Sequence, residues 1–118
     1  MRNEILASIF VPCRNEENYI GLFLESILNQ SFDLNKAEVI LIDGLSKDRT
    51  LEIARSYNNQ FAHFQIIQNE NKTVPYALNK GIHMARGEYI IRLDAHTAYP
   101  KNYLETMLYW KKKLQAGN

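Results

Sequence analysis

The sequence predicts an α/β fold: an open, doubly wound, mainly parallel sheet with helices on both faces. Short apolar, β-branched runs alternate four times with stretches of helical periodicity, and the connections between them are short. No internal repeat or low-complexity segment interrupts the alternation. At 118 residues the length suits one domain, residues 1–118, large enough to bury a core.

Residues 5–11 form a short apolar run stopped by Pro12, read as a buried first strand. Asn15 offers an N-cap, and Glu16 and Glu17 occupy a first turn where acids suit the helix dipole. Ile20, Phe23, Leu24, Ile27 and Leu28 recur at helical spacing, giving one core-facing stripe. After a polar connection, residues 38–42 make a second strand ending in Asp43-Gly44, with Gly44 expected to supply a tight turn.

Ser46 or Asp48 starts the second helix, whose inner residues are expected to be Leu51, Ile53, Ala54 and Tyr57. Residues 62–68 give a third, weaker strand. Thr73 and Pro75 open a third helix through Ala77, Leu78, Ile82 and Ala85, closing at Gly87 as a C′ glycine. Residues 89–93 are the fourth strand. Pro100 begins a last helix carrying Leu104, Met107, Leu108 and Leu114, with Lys111, Lys112 and Lys113 where the dipole favours cations. Tyr109 and Trp110 are expected to pack.

Composition narrows the function. With 46% apolar and 23% charged residues, neither disorder nor a membrane span is indicated. A net charge of +1 gives no case for nucleic acid as a partner. One cysteine, Cys13, excludes an internal disulfide framework and fits a reducing compartment. The expected location is the cytoplasm, with a peripheral position at the inner face of the membrane left open. Cys13 lacks the surroundings of a nucleophile and is expected to be buried.

In open α/β sheets, ligands bind beyond the carboxyl ends of the strands. There the sequence puts Pro12-Cys13-Arg14-Asn15-Glu16 after strand one, Asp43-Gly44 after strand two, Asn71-Lys72 after strand three and Asp94-Ala95-His96 after strand four. Two readings of Asp94 and His96 stand at this point. In extended backbone, residues i and i+2 point the same way, so the pair can face one ligand or metal. Alternatively, Asp94 caps the next helix and His96 is a surface loop residue. The convergence of acids, a histidine and cations on one edge weighs toward a ligand. Arg14 and Lys72 can meet phosphate or simply be solvated, and Arg86 can pair with phosphate or decorate a helix end. No glycine-rich phosphate loop follows strand one, which argues against a nicotinamide Rossmann domain. A metal that neutralises a diphosphate makes such glycines dispensable.

Five stretches carry a resemblance. They are Val11-Pro12-Cys13-Arg14-Asn15-Glu16-Glu17, Val39-Ile40-Leu41-Ile42-Asp43-Gly44-Leu45-Ser46-Lys47-Asp48-Arg49-Thr50, Ala77-Leu78-Asn79-Lys80-Gly81-Ile82, Ala85-Arg86-Gly87-Glu88-Tyr89-Ile90 and Leu93-Asp94-Ala95-His96. In that order the chain resembles the nucleotide-binding, Rossmann-like half of the family 2 glycosyltransferases, inverting enzymes of the GT-A fold. It looks closest to succinoglycan-type bacterial polysaccharide enzymes. The resemblance implies transfer of a sugar from a nucleoside-diphosphate sugar, with UDP favoured over GDP, to a saccharide or lipid-linked acceptor. Pro12, Arg14, Glu16 and Lys72 would line the nucleotide site, and Asp43 would accept a hydrogen bond from the base. Asp94 would hold nucleotide and a divalent cation. His96 stands where most of the family has the second aspartate of Asp-x-Asp. Imidazole suits Mn²⁺ better than Mg²⁺, so Mn²⁺ is the favoured cofactor. Asp48 is expected to cap a helix more than to touch ligand.

The family's catalytic base and acceptor contacts lie after the Asp-x-Asp region. The expectation is therefore a donor-binding fragment, inactive alone, whose open sheet edge favours a homo-oligomer. A non-catalytic nucleotide-binding module and a plain interaction domain are the alternatives on the same scaffold.

Overall fold

The computed structural model describes residues 4–70 and 74–116. Among these residues, four strands form one parallel sheet: β1 (Ala7–Cys13), β2 (Ala37–Asp43), β3 (Phe64–Gln68) and β4 (Tyr89–Arg92), in the order β3-β2-β1-β4. The helices are α1 (Ile20–Leu28), α2 (Thr50–Arg55), α3 (Val74–Met84) and α4 (Tyr103–Ala116), with a single 3₁₀ turn at Leu34–Lys36. The chain winds outward from β1 to β3, then crosses back to lay β4 on the other side of β1. That reversal makes the β1/β4 boundary the switch point of the sheet.

The period-2 alternation of β1 and β2 sends side chains to two covered faces. On one, Ile9, Val11, Val39, Leu41, Ile91 and Leu93 pack with Ile20, Phe23, Leu24 and Ile27 of α1, Ala54 of α2, and Leu104 and Leu108 of α4. Each fully buried aliphatic of this set contributes roughly 1.5–3 kcal/mol. On the other, Phe10, Ile40 and Ile42 meet Leu78 and Ala85. Here α3 approaches through Gly81, where a Cβ would lie 3.0 Å from Ile42 Cδ1 and 3.2 Å from Phe10.

The expected elements are all present, with informative differences. β1 does not stop at Pro12 but runs through it to Cys13. The Phe10 carbonyl accepts from Leu93 N at the last rung with β4, while Gly44 N donates to the Cys13 carbonyl on the β2 side. Pro12, two residues past Phe10, therefore turns its donorless nitrogen to the side where β4 has already ended, and no ladder bond is lost. α1 begins at Ile20, not beside Asn15, and its first position has no side-chain cap. The left-handed residue after β2 is Leu45 (φ 60°), not Gly44.

α3 ends at Met84, and Gly87 is no C′ glycine, since no glycine has positive φ among the described residues. Gly87 is required for another reason: a Cβ there would lie 2.6 Å from both the amide and the hydroxyl of Ser8. α4 starts at Tyr103 rather than Pro100. Four expected inner residues, Ile82, Leu114, Tyr109 and Trp110, are exposed. Gly81 rather than Ile82 faces the sheet, and Leu104 and Leu108 carry α4's contact.

Arg86 is committed to structure, not phosphate. Ser8 and Glu38 sit opposite one another in the β1–β2 register, and both are buried. The Ser8 hydroxyl donates to Glu38 Oε2 (2.5 Å), as does Arg86 N (2.6 Å), while Arg86 Nε donates to Oε1 (3.1 Å). Gly87 N completes the group by donating to Ser8 Oγ (2.8 Å). Burial pushes the Glu38 carboxyl up, but the bonds from Ser8 and from the Arg86 amide and guanidinium outweigh it and hold the group below its ordinary value. The cluster lies toward the amino ends of the strands, away from the edge where ligands bind.

Candidate functional site

At the carboxyl edge, the loops after β1, β2 and β4 are tied to one another. Asn15 adopts a left-handed conformation (φ 54°) that turns the chain toward β2. Its amide donates to Ser46 Oγ (2.8 Å), and its side-chain oxygen accepts from Lys47 N (2.8 Å). Glu17 N donates to Asp48 Oδ2 (3.1 Å), and Arg49 N returns a bond to Glu17 Oε1 (2.9 Å). Glu16 N donates to the buried Thr50 hydroxyl (2.7 Å). The Glu16 carboxylate then reaches across the switch point, with Oε2 3.2 Å from His96 Nδ1.

Asp43 is fully buried at the end of β2. Ser46 N donates to its Oδ2 (2.9 Å) and the Ser46 hydroxyl to its Oδ1, with the Cys13 thiol 3.9 Å from Oδ1. Asn15 N fills one acceptor position of the Ser46 hydroxyl, which directs its proton to Asp43. Asp43 is thus a fixed acceptor, a carboxylate with lone pairs beyond the two Ser46 bonds. Leu45, left-handed at a cost of about 1–2 kcal/mol for a side chain of its kind, is the turn that brings Ser46 back onto Asp43. Ser46 serves Asp43 rather than starting α2. The N-cap position of α2 is Arg49, without a side-chain cap; Asp48, one residue earlier, braces the turn, its Oδ1 accepting from Thr50 N (3.0 Å) and the Thr50 hydroxyl. Burial nudges the Asp48 carboxyl up, and the Thr50 and Glu17 bonds more than offset it, holding the group below its usual value.

Cys13 is buried as expected. Burial, then the charges of Asp43, Glu16 and Asp48, push its thiol far above the ordinary range, so it is no nucleophile. The Arg14 stem runs along Gly44: a Cβ on that glycine would be 3.4 Å from Arg14 Cδ. Pro12 lies beneath this loop, half-buried. Lys72, with Asn71 and Thr73, lies outside the described residues.

β4 ends at Arg92 and residues 95–96 turn, so the extended alternation that would aim Asp94 and His96 alike does not hold. Asp94 caps no helix; it is exposed, and its amide donates to the Tyr99 hydroxyl (2.9 Å). His96 is exposed but not a bystander, because Glu16 fixes its ring. The neutral tautomer that donates from Nδ1 to this carboxylate is the one that leaves the Nε2 lone pair facing away from Glu16. Among the described residues Nε2 has no partner, and a carboxylate behind the far nitrogen is the usual support of a metal-ligating histidine. Asp94, His96 and Glu16 are residue types that suit a divalent cation, but among the described residues no cluster of three ligating side chains is preassembled.

Sequence reasoning missed Ser46, Thr50, Asn15 and Tyr99 as the braces of this edge. The recurrence of Asp43, Ser46, Asp48 and Thr50 within one short stretch was a visible signal for Ser46 and Thr50, and nothing comparable marked Asn15 or Tyr99 as braces.

The architecture is an open, parallel α/β domain whose strand order reverses between β1 and β4. The model of Glycosyl transferase family 2 matches residues 8–117, and the chain belongs to that family. It is 37% identical over 113 residues to a dolichyl N-acetyl-alpha-D-glucosaminyl phosphate 3-beta-D-2,3-diacetamido-2,3-dideoxy-beta-D-glucuronosyltransferase of Methanococcus voltae, covering 90% of this chain and 35% of that protein. It is 33% identical over 102 residues to the succinoglycan biosynthesis protein ExoA of Rhizobium meliloti, covering 85% and 31%. Among solved structures, S. aureus TarS 1-349 in complex with UDP superposes with a TM-score of 0.81 at 27% identity, covering 92% of this chain and 32% of that one. The mannosyltransferase PcManGT of Pyrobaculum calidifontis, in complex with GDP-Man and Mn²⁺, gives 0.76 at 25% identity, covering 82% and 29%. The fold is therefore the nucleotide-sugar-binding part of a GT-A glycosyltransferase. The chain spans about a third of the length of these relatives.

Proposed function

We propose that this domain binds a nucleoside-diphosphate sugar, UDP-linked before GDP-linked, at the β1/β4 switch point. The whole enzyme would use it for inverting, metal-assisted transfer to a saccharide or lipid-linked acceptor in polysaccharide assembly. The observation that carries the reading is the double engagement of Glu16, to Thr50 through its amide and to His96 through its carboxylate. It joins three strand-end loops into one edge. TarS with UDP and PcManGT with GDP-Man and Mn²⁺ support the ligand class.

In this reading Asp43, held as an acceptor by Ser46, receives an N–H of the base beside Pro12. Arg14 and Lys72 approach the diphosphate. Asp94 and the Nε2 of His96 hold the cation, Mn²⁺ before Mg²⁺, with Glu16 orienting the imidazole. When bound, the cation neutralises charge developing on the departing diphosphate. Transfer needs a carboxylate that deprotonates the acceptor hydroxyl, and the role proposed for the residues named here is donor binding. Among the described residues β3 and β4 are edge strands, and self-association of this chain is part of the proposal; a monomer at every concentration in light scattering rejects that clause.

Calorimetric titration of UDP and GDP, each with and without Mn²⁺, tests the reading. UDP binding that requires Mn²⁺ and is lost in Asp94→Ala supports it. Binding indifferent to both changes replaces it with a regulatory nucleotide module.

A further inference from the structure

The outer face of α4 has a composition that donor binding does not explain. Leu104 and Leu108 anchor the first half of the helix in the core. The second half turns Tyr109 (54% exposed), Trp110 (56%) and Leu114 (70%) outward. Trp110 and Leu114 are i, i+4 neighbours and form one apolar ridge. Tyr109 packs edge-on to Trp110, with ring centroids 5.2 Å apart, and Lys113 Nζ stands 6.0 Å from the Tyr109 ring centroid. Lys111, Lys112 and Lys113 follow without a break, and no acid occurs from residue 106 to the end of the sequence. At 100° per residue Lys111 and Lys113 flank the Trp110–Leu114 ridge, whereas Lys112 turns to the opposite side, where it borders a hollow of about 500 Å³ with Lys36, Arg86, Glu4 and Glu88.

We propose that this face docks the domain on an anionic lipid bilayer. Tyrosine and tryptophan have the amphipathic rings that settle at headgroup depth, and lysines snorkel from such a helix to phosphate while their stems lie along apolar surface. The charge selects the occupant. A second copy of this chain meeting the face about a two-fold axis would bring four lysines together with no acid from residue 106 onward to offset them. A free phosphate would leave the Trp110–Leu114 ridge unused, whereas an anionic membrane satisfies both features. No helix among the described residues is long and apolar enough to cross a membrane, so the contact is peripheral.

Trp110 is the only tryptophan, which makes it a built-in reporter. Vesicles of phosphatidylcholine containing phosphatidylglycerol should shift its emission to the blue and sediment the protein, while pure phosphatidylcholine should do far less. Lys111→Gln/Lys113→Gln should weaken partitioning by about thirtyfold, the effect of two cations near an anionic surface. Trp110→Ser/Leu114→Ser, read by sedimentation, should weaken it at least tenfold. Circular dichroism checks the fold of each variant, and unchanged UDP titrations separate this proposal from the donor-site reading. Equal binding to neutral vesicles, no binding to either, or lipid-free self-association abolished by Trp110→Ser/Leu114→Ser would each overturn it.

Discussion

Gly87→Ala tests whether the Ala85–Ile90 stretch is architectural. The new Cβ would sit 2.6 Å from Ser8 N and Oγ and 2.8 Å from the Ala7 carbonyl carbon. Two of those three atoms are backbone of a central strand, which cannot swing aside as a side-chain tip can. Overpacking of this kind costs about 1–3 kcal/mol. Separating the strands also strains the Gly87 N to Ser8 Oγ bond, for about 1 kcal/mol more. A total of roughly 3 kcal/mol is a large share of the stability of a domain this size. For 118 residues, at about 4 °C per kcal/mol, the melting temperature should fall by about 12 °C. Urea titration followed by far-ultraviolet circular dichroism measures the loss, with UDP affinity determined well below the transition. The expected result is a large stability loss at unchanged affinity. A variant as stable as the parent, or one folded normally but unable to bind UDP, would refute the assignment of this stretch to structure.

Three further outcomes are expected. Because the folded-state Glu38 carboxyl is held below its unfolded value, its contribution is fully present above about pH 4.5 and is lost as pH falls through the lower folded value. Glu38→Gln should flatten that acid limb of a stability–pH curve, and an unaltered limb would contradict the cluster's charge state. Asp48→Ala removes the acceptor for Thr50 and Glu17 and should cost about 1 kcal/mol in denaturant melts while sparing UDP affinity; a selective loss of affinity would make Asp48 a ligand. Cys13 should resist thiol-specific reagents at neutral pH until the protein unfolds, and prompt labelling of native protein would show that the Asp43 end of β2 opens.

Periodicity made the architecture legible. The 3, 4, 7, 8 spacing of Ile20 to Leu28 named the buried face of α1, and the β-branched runs named every strand. What it could not resolve were choices made by tertiary neighbours. Gly81, not Ile82, faces the sheet because α3 lies too close to Phe10 and Ile42 for a side chain. Trp110 and Tyr109 are apolar enough to be assigned to a core, yet only two turns of α4 reach it. At the site, the residue types at the strand ends were readable as a set. The hydrogen bonds linking them were not, because Asn15–Ser46 and Glu16–His96 join residues 31 and 80 positions apart. Arg86 shows the converse: a cation in a family motif whose partner, Glu38, was hidden inside an apolar strand.

The central claim is that donor and cation meet at the carboxyl edge between β1 and β4. Paramagnetic broadening of backbone amide signals by Mn²⁺ in the presence of UDP maps that meeting directly. The account predicts selective loss of signals from Glu16, Asp94, Ala95 and His96, with Glu38, Arg86 and Gly87 at the opposite edge left sharp. Broadening centred on the Glu38–Glu88 edge, or none at saturating UDP and Mn²⁺, would contradict it.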